Sequence, residues 1–548
     1  MNTSRRKWLA STAALGPGLL AAGAAGAQTP AAGHDLGART YNIRDFGAKG
    51  DGVTLDTAAV QTAIDACHRE QGGTVLVPAG VFVIGTIELK SNVALHLAAA
   101  GKLLGSGDGK QYRAADAIPL TGDATMRDGN VGLIVAVKAE NIAITGPGTI
   151  DGQGAQFHSP GRGVPPPSGR GGNDRPYHVL LYQCTNVAIR GVRLVASAYH
   201  SVRVIQSRHV EIDGIHIYNR VTGNNDGFHF ISSQYVHISN CDVQAQDDAC
   251  ALFGSCKFVT VTNSSFSTRW SVFRFGGGEP ENIAVSNCLI YETYGCPVKM
   301  QCGPGSRFEN ISFSNLILKD VTGPISINLG THAWHGSGTP PPGPAPMVRN
   351  ISFSGIRATV VDPVVLPDVH FGGYQPGEYK TCIVLNAVEG RLENISFSDF
   401  HAVFPGGGTA AEAAREVPQT AGEYFELGIP PAYALYARNV RGLTLANVRF
   451  EAAAPDLRPA VRFEHVEDAA VNGFSVGGNP DAAAALRFTD ARDVLVTAAR
   501  LLTPARVFLQ VEGAGSRGIR IDGGDLSKAA EPVAFEAGAS KDAVKLRG

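Results

Sequence analysis

A short pattern of apolar and polar positions recurs along the chain, x-Φ-x-Φ-x-x-x-Φ with Φ apolar. Copies begin at Asn186 (NVAIRGVRL), His209 (HVEIDGIHI), Tyr235 (YVHISNCDV), Phe258 (FVTVTNSSF) and Asn282 (NIAVSNCLI). They continue at Asn310, Asn350, Asn394 and Gly442, with weaker copies at Asp468, Asp493 and Gly518. The steps are 23, 26, 23, 24 and 28 residues, then 40, 44 and 48, then 26, 25 and 25. A period of this size marks a solenoid. Within each copy the alternation, rich in Val, Ile, Phe and Thr, predicts a strand, a small turn and a second short strand. No helix-length amphipathic run separates the copies, which argues against βαβ units and horseshoes with helical backs. The pattern therefore predicts an all-β fold, a right-handed parallel β-helix around a column of stacked Val, Ile, Leu and Phe.

A solenoid end needs a cap, and Val60, Ile64 and Cys67 fall at helical spacing within Thr57 to Gln71. That segment predicts an N-terminal capping helix with Thr57 as N-cap. The three long steps predict loop insertions at about 319–349, 359–393 and 403–441, which each coil tolerates because it contacts only its neighbours. The first contains GSGTPPPGPAP, residues 336–346, too rich in Pro and Gly for a strand.

Composition adds four points. At 548 residues the chain exceeds one ordinary compact domain, and the repeat resolves this as one elongated domain over 28–548. With 44% hydrophobic and 18% charged residues it folds, and a net charge of −2 offers nucleic acid or an anionic membrane no electrostatic attraction. Residues 1–27 read as a twin-arginine export signal, with Arg5-Arg6, an Ala/Gly/Leu stretch and a small-residue cleavage site at Ala25-Gly26-Ala27. The expectation is a periplasmic or secreted monomer with no membrane association after cleavage. Nine cysteines, an odd number at spacings unlike zinc sites, are expected as buried small hydrophobes or structural bridges.

Several motifs carry a family resemblance. Asn42 to Gly52 (NIRDFGAKGDG), Gly72 to Gly80 (GGTVLVPAG) and Gly146 to Gly154 (GPGTIDGQG) are similar to segments of the polygalacturonase group, glycoside hydrolase family 28. The resemblance runs from about Tyr41 to about Phe450. More specific are Asn224-Asn225-Asp226-Gly227, which matches the family's Asn-x-Asp, and Asp247-Asp248, which matches its Asp-Asp pair.

The spacing of these acids makes chemical sense without the resemblance. Asp226 and Asp247 lie 21 residues apart, about one coil, so they are expected to stack on rungs ~5 Å apart. Crowded carboxylates resist joint ionisation, so one residue type can supply both an acid and a base for glycoside hydrolysis. Asn-Asp-Gly is also ordinary turn chemistry, and clustered carboxylates also suit calcium. The resemblance implies Asp247 as general acid, Asp226 and Asp248 activating water, and inversion at the anomeric carbon. It implies no cofactor or metal, and a polysaccharide or oligosaccharide as the partner.

Two positions depart from the family. Its Gly-His-Gly is matched here by Trp270-Ser271-Val272, and its Arg-x-Lys by Pro297-Val298-Lys299. A histidine and an arginine are thus lost, which implies a substrate other than unsubstituted polygalacturonan. Arg269 or Arg274 is a candidate replacement cation, since guanidinium binds carboxylate bidentately. The expected substrate contacts are Asn224, His229, Trp270, Arg274 and Lys299, and His200 is expected to be structural. Two other functions fit the same residues: a polysaccharide lyase using Lys299 as base, and a glycan-binding β-helix without catalysis.

Overall fold

Each predicted copy lies within or just before a strand of one long parallel sheet, and the residue that opens it is a conformational signal. From Asn186 to Gly518 those twelve residues all have positive φ, between 51° and 73°. That left-handed region is tolerated by Asn, Asp and Gly and costs other residues about 1–2 kcal/mol. The asparagines also bond coil to coil, Asn310 to Asn282 (3.3 Å), Asn350 to Asn310 (2.9 Å) and Asn394 to Asn350 (2.8 Å). At His209, Tyr235 and Phe258 the amide ladder gives way to stacked rings, 4.8 and 5.0 Å between centroids.

The structure, a computed structural model, describes residues 37–122, 125–160, 163–331, 344–362, 380–422 and 424–547. It is a parallel β-helix. A second sheet of fifteen strands runs in strict chain order from Ile87–Glu88 to Ala529–Glu536, each strand parallel to the next coil's. Between the sheets lies one continuous apolar column, from Ile43 at one end to Ile521 at the other. The stretch from Asn186 to Leu318 forms the successive parallel coils that its spacing predicts.

The capping helix spans Thr57–Arg69 and buries Val60, Ala63, Ile64 and Cys67. Its N-cap is Asp56, not Thr57. The Asp56 carboxylate accepts from the Lys49 and Gly50 amides (2.7 and 3.0 Å), and the Thr57 hydroxyl from Gly85 N–H (2.8 Å). Both side chains tie the helix to neighbouring coils rather than cap it.

The insertions are shorter than the long steps suggest. Ile325–Leu329, Ile383–Ala387 and Leu435–Arg438 are strands of the second sheet inside the predicted ranges, so each long step holds a normal coil plus an excursion. The segment 336–346 falls mostly outside the described residues, as does the predicted signal at 1–27. All nine cysteines are buried, most of them among the core side chains, and none forms a disulfide bridge. Among the described residues no helix is long and apolar enough to cross a membrane.

Candidate active site

Six consecutive strands of the second sheet build the site: Val202–Ile205, Phe228–Ile231, Cys250–Phe253, Ser271–Gly276, Cys296–Cys302 and Ile325–Leu329. Their inward positions, Val204, Phe230, Leu252, Phe275, Met300 and Ile327, stack in the core. The adjacent outward positions align as Arg203, His229, Ala251, Arg274, Lys299 and Ser326. Because side chains alternate along a strand, one polar position per coil becomes a column on the face opposite the core. The N-terminal part of this face is covered by Ile118 and Met126, which pack with Tyr177, Tyr199, Ile205 and Ile231 in a second small apolar cluster.

The aspartates lie in the turns just before these strands. Phe228 pairs with Cys250, so this coil is 22 residues long, and Asp226 comes into register with Asp248, not Asp247. Gly227 N–H donates to Asp248 O (2.9 Å), fixing that register. A Cβ on Gly227 would stand 2.5 Å from Ala249 O, so the glycine of Asn-Asn-Asp-Gly permits the coils' close approach. The predicted stacking of Asp226 on Asp247 is therefore off by one residue, because the coil is one residue longer than their separation. Asp247 instead falls in line with Asn225 below and Trp270 above. Asn225 is fully buried and locks the turn: its side-chain oxygen accepts from the Val221 and Thr222 amides, and its nitrogen donates to Ser197 and Tyr199 carbonyls.

All three carboxyls are drawn together and away from water. Asp226 and Asp248 are 4% and 7% exposed, and Asp247 is half-buried. Burial above all, then the charges of Asp247 and Asp248, raises Asp226 well above the usual carboxylate range. Asp247 is pushed up to about 7, first by burial and then by Asp248; the Asp248 amide, Lys299 and Arg274 hold it from rising further. Asp248 N–H donates to Asp247 Oδ1 (2.9 Å) and Asn224 Nδ2 to Asp247 Oδ2 (3.2 Å). Asn224, exposed and left-handed at φ 54°, thus orients Asp247 from the solvent side.

The cations come from the next two coils. Lys299, only 1% exposed, holds its ammonium 4.1 Å from the Trp270 ring centre. Arg274 is its cross-strand neighbour and bonds Gln301 Oε1. Arg269 instead reaches over the Tyr294 ring.

His229 is not where a substrate contact would be. Both its ring nitrogens are taken up inside the protein: Nδ1 lies 2.7 Å from Asp226 Oδ2 and Nε2 lies 2.8 Å from Thr125 Oγ1. His200, expected to be structural, also belongs to this group: its Nε2 is 3.7 Å from the same oxygen, and its ring stacks on His229 at 4.4 Å. The ligand atoms of His200, Asp226 and His229 lie within 4.8 Å of one another, a spacing that invites a metal. The donor chemistry opposes one. Arg203 Nη1 donates to His200 Nδ1 (3.4 Å), which puts the imidazole proton on Nε2, the nitrogen a metal would need. The two histidines form a cage around Asp226: His229 hydrogen-bonds its carboxyl and His200 packs beside it. Arg203 itself is fully buried, donates to Thr125 O (2.6 Å), lies 3.6 Å from Asp128 Oδ2 and stacks on Tyr177. Arg175 stacks on Tyr199 and reaches Asn224 Oδ1 (3.3 Å). Arg203 was detectable as a polar residue at the outward position of the repeat; Thr125 and Asp128 belong to no repeat and gave no signal.

The sequence model of Glycosyl hydrolases family 28 matches residues 67–367. The chain belongs to this family. The matched span lies inside the 41–450 expected, and leaves the opening motif Asn42 to Gly52 outside. A "Probable polygalacturonase" of Vitis vinifera is 32% identical over 228 residues, 39% of this chain and 44% of that one. An "Exo-poly-alpha-D-galacturonosidase" of Dickeya chrysanthemi is 41% identical over 123 residues, 21% and 20% of the two chains. The chain thus spans less than half the length of these relatives. The family 28 exopolygalacturonase of Yersinia enterocolitica shares the fold, with a TM-score of 0.58 and 20% identity over 80% of this chain and 79% of that one.

Proposed function

We propose that this family 28 hydrolase cleaves a glycosidic bond beside a uronic acid in a pectic chain, with inversion and with Asp247 as proton donor. One observation carries the reading: a carboxyl held near neutrality at about 7 stands between ionisable partners, Asp226 and Asp248 on one side and the Lys299–Arg274 pair on the other. A donor poised near the working pH is what protonation of a leaving oxygen needs, and two adjacent cations suit a sugar carboxylate. The cross-strand pair replaces the family's Arg-x-Lys in charge, so loss of the arginine does not argue against galacturonan. Relatives named as polygalacturonase and exo-poly-α-D-galacturonosidase support the same substrate class.

The test is a panel of polygalacturonate, rhamnogalacturonan and neutral galactan. New reducing ends are expected from an acidic chain, without the ultraviolet-absorbing unsaturated end that elimination leaves. Cleavage of galactan alone, or unsaturated products, would overturn the proposal. We also propose twin-arginine export, supported by Arg5-Arg6 ahead of the Ala/Gly/Leu stretch. Replacing both by Lys is expected to leave precursor in the cytoplasm, and unchanged delivery would refute it.

A further inference from the structure

The cage around Asp226 has an exit. Asp226 Oδ2 meets His229 Nδ1 at 2.7 Å, His229 Nε2 meets Thr125 Oγ1 at 2.8 Å, and the Thr125 hydroxyl bonds the Asp128 carboxylate. Asp226 and His229 are buried, Thr125 is half-buried, and the Asp128 side chain is 27% exposed. We propose that Asp226, His229, Thr125 and Asp128 form a proton relay that carries protons between the buried carboxyl and solvent.

Hydrogen counting fixes how the relay works. A threonine hydroxyl has one hydrogen. Given to Asp128, it leaves Thr125 Oγ1 to accept from His229 Nε2–H, so His229 Nδ1 is bare and must accept from a protonated Asp226. When Asp226 is ionised, Nδ1–H donates to it, and Nε2 accepts from Thr125. The groups facing Asp226 are Asp247, Asp248, Asp128, Arg203, Arg175, His200 and His229, with the Tyr177 and Tyr199 rings beside them. Burial and three carboxylates outweigh Arg203 and raise the affinity of Asp226 for a proton. Burial and Arg203 hold His229 well below its usual range, so the ring stays neutral and passes protons by exchanging tautomers.

The catalytic use rests on the proposed function. If Asp226 takes a proton from the attacking water, a raised affinity leaves it protonated after the sugar is released. In the outward step the Asp226 proton goes to His229 Nδ1 as the Nε2 proton goes to Thr125 Oγ1 and the Thr125 proton to Asp128. Asp128 then releases one proton to water, which leaves Asp226 as the carboxylate that can take the next proton, with His229 and Thr125 neutral throughout. His229, Thr125 and Asp128 are positioning residues in this scheme, because they act through Asp226.

The test does not need a substrate. With 15N-labelled histidine in the full chain, and His229→Gln to identify the signals, His229 is expected to stay neutral across the titration. It should switch from Nε2–H at low pH to Nδ1–H at high pH. Asp128→Asn, which removes a charge that raises Asp226, should move that midpoint to lower pH, and Thr125→Val should abolish the switch while Thr125→Ser keeps it. A single tautomer at every pH, or a charged ring, overturns the relay. On a cleaved substrate, Thr125→Val should lower kcat on the order of tenfold at unchanged KM, less than the ~10²–10⁴ of a directly acting group. An unchanged kcat overturns the catalytic use. A wild-type protein that switches tautomer but cleaves nothing would retain the relay and sink only the functional reading.

Discussion

Asp247→Asn is expected to lower turnover by ~10²–10⁴, the usual contribution of a general acid–base group. The fold should survive, since Asn keeps the shape and its one carbonyl oxygen can still accept from the Asp248 amide, although the bond from Asn224 is lost. What is lost is a proton held up to about pH 7. The deficit should therefore shrink on a substrate whose leaving group needs no protonation. Asp226→Asn and Asp248→Asn should not be rescued that way, because water activation stays impaired. The wild-type rate should fall as pH rises through about 7, the side on which Asp247 loses its proton. NMR of the first-formed product should show inverted configuration. Retention would demand a covalent intermediate and overturn the assignment of roles. Near-normal turnover in all three variants would move the site elsewhere.

The coils were legible because two independent signals coincide at each repeat: an apolar column with period two, and an Asn, Asp or Gly where the chain must turn left-handed. His209, Tyr235 and Phe258 break the second signal but keep the first, and stacked rings replace the amide ladder. The long steps misled because spacing between first-sheet strands cannot show a second-sheet strand hidden between them. At the site, the two acidic motifs were readable but their register was not: a solenoid coil has no fixed length, and 22 residues rather than 21 turns Asp226 toward Asp248. His229 was marked for its position near Asp226, yet its role depends on Thr125, 104 residues upstream in a segment outside the repeat. Arg274 and Arg269 could not be told apart by composition. Only Arg274 has the strand parity that aligns it with Lys299.

That alignment sets up the second large effect. Lys299→Met keeps the unbranched stem against Trp270 and removes the ammonium that sits 4.1 Å from its ring centre. Truncating one partner of a buried charge pair costs about 2–5 kcal/mol, so kcat/KM on a galacturonan is expected to fall from roughly thirtyfold to several thousandfold. Against the methyl-esterified chain, which offers no carboxylate, the loss should be much smaller. Lys299 also acts on the acid: burial raises Asp247, and Lys299 and Arg274 oppose the rise. A general acid works while protonated, so activity persists below its folded pKa and fades above it. Removing the ammonium raises that pKa further, and the alkaline limb should move to higher pH even as the rate falls. A residue that only packed against Trp270 would change neither the ester preference nor the limb. Equal losses on the acid and its ester, or a limb moved to lower pH, would show that Lys299 faces neither the substrate carboxylate nor Asp247.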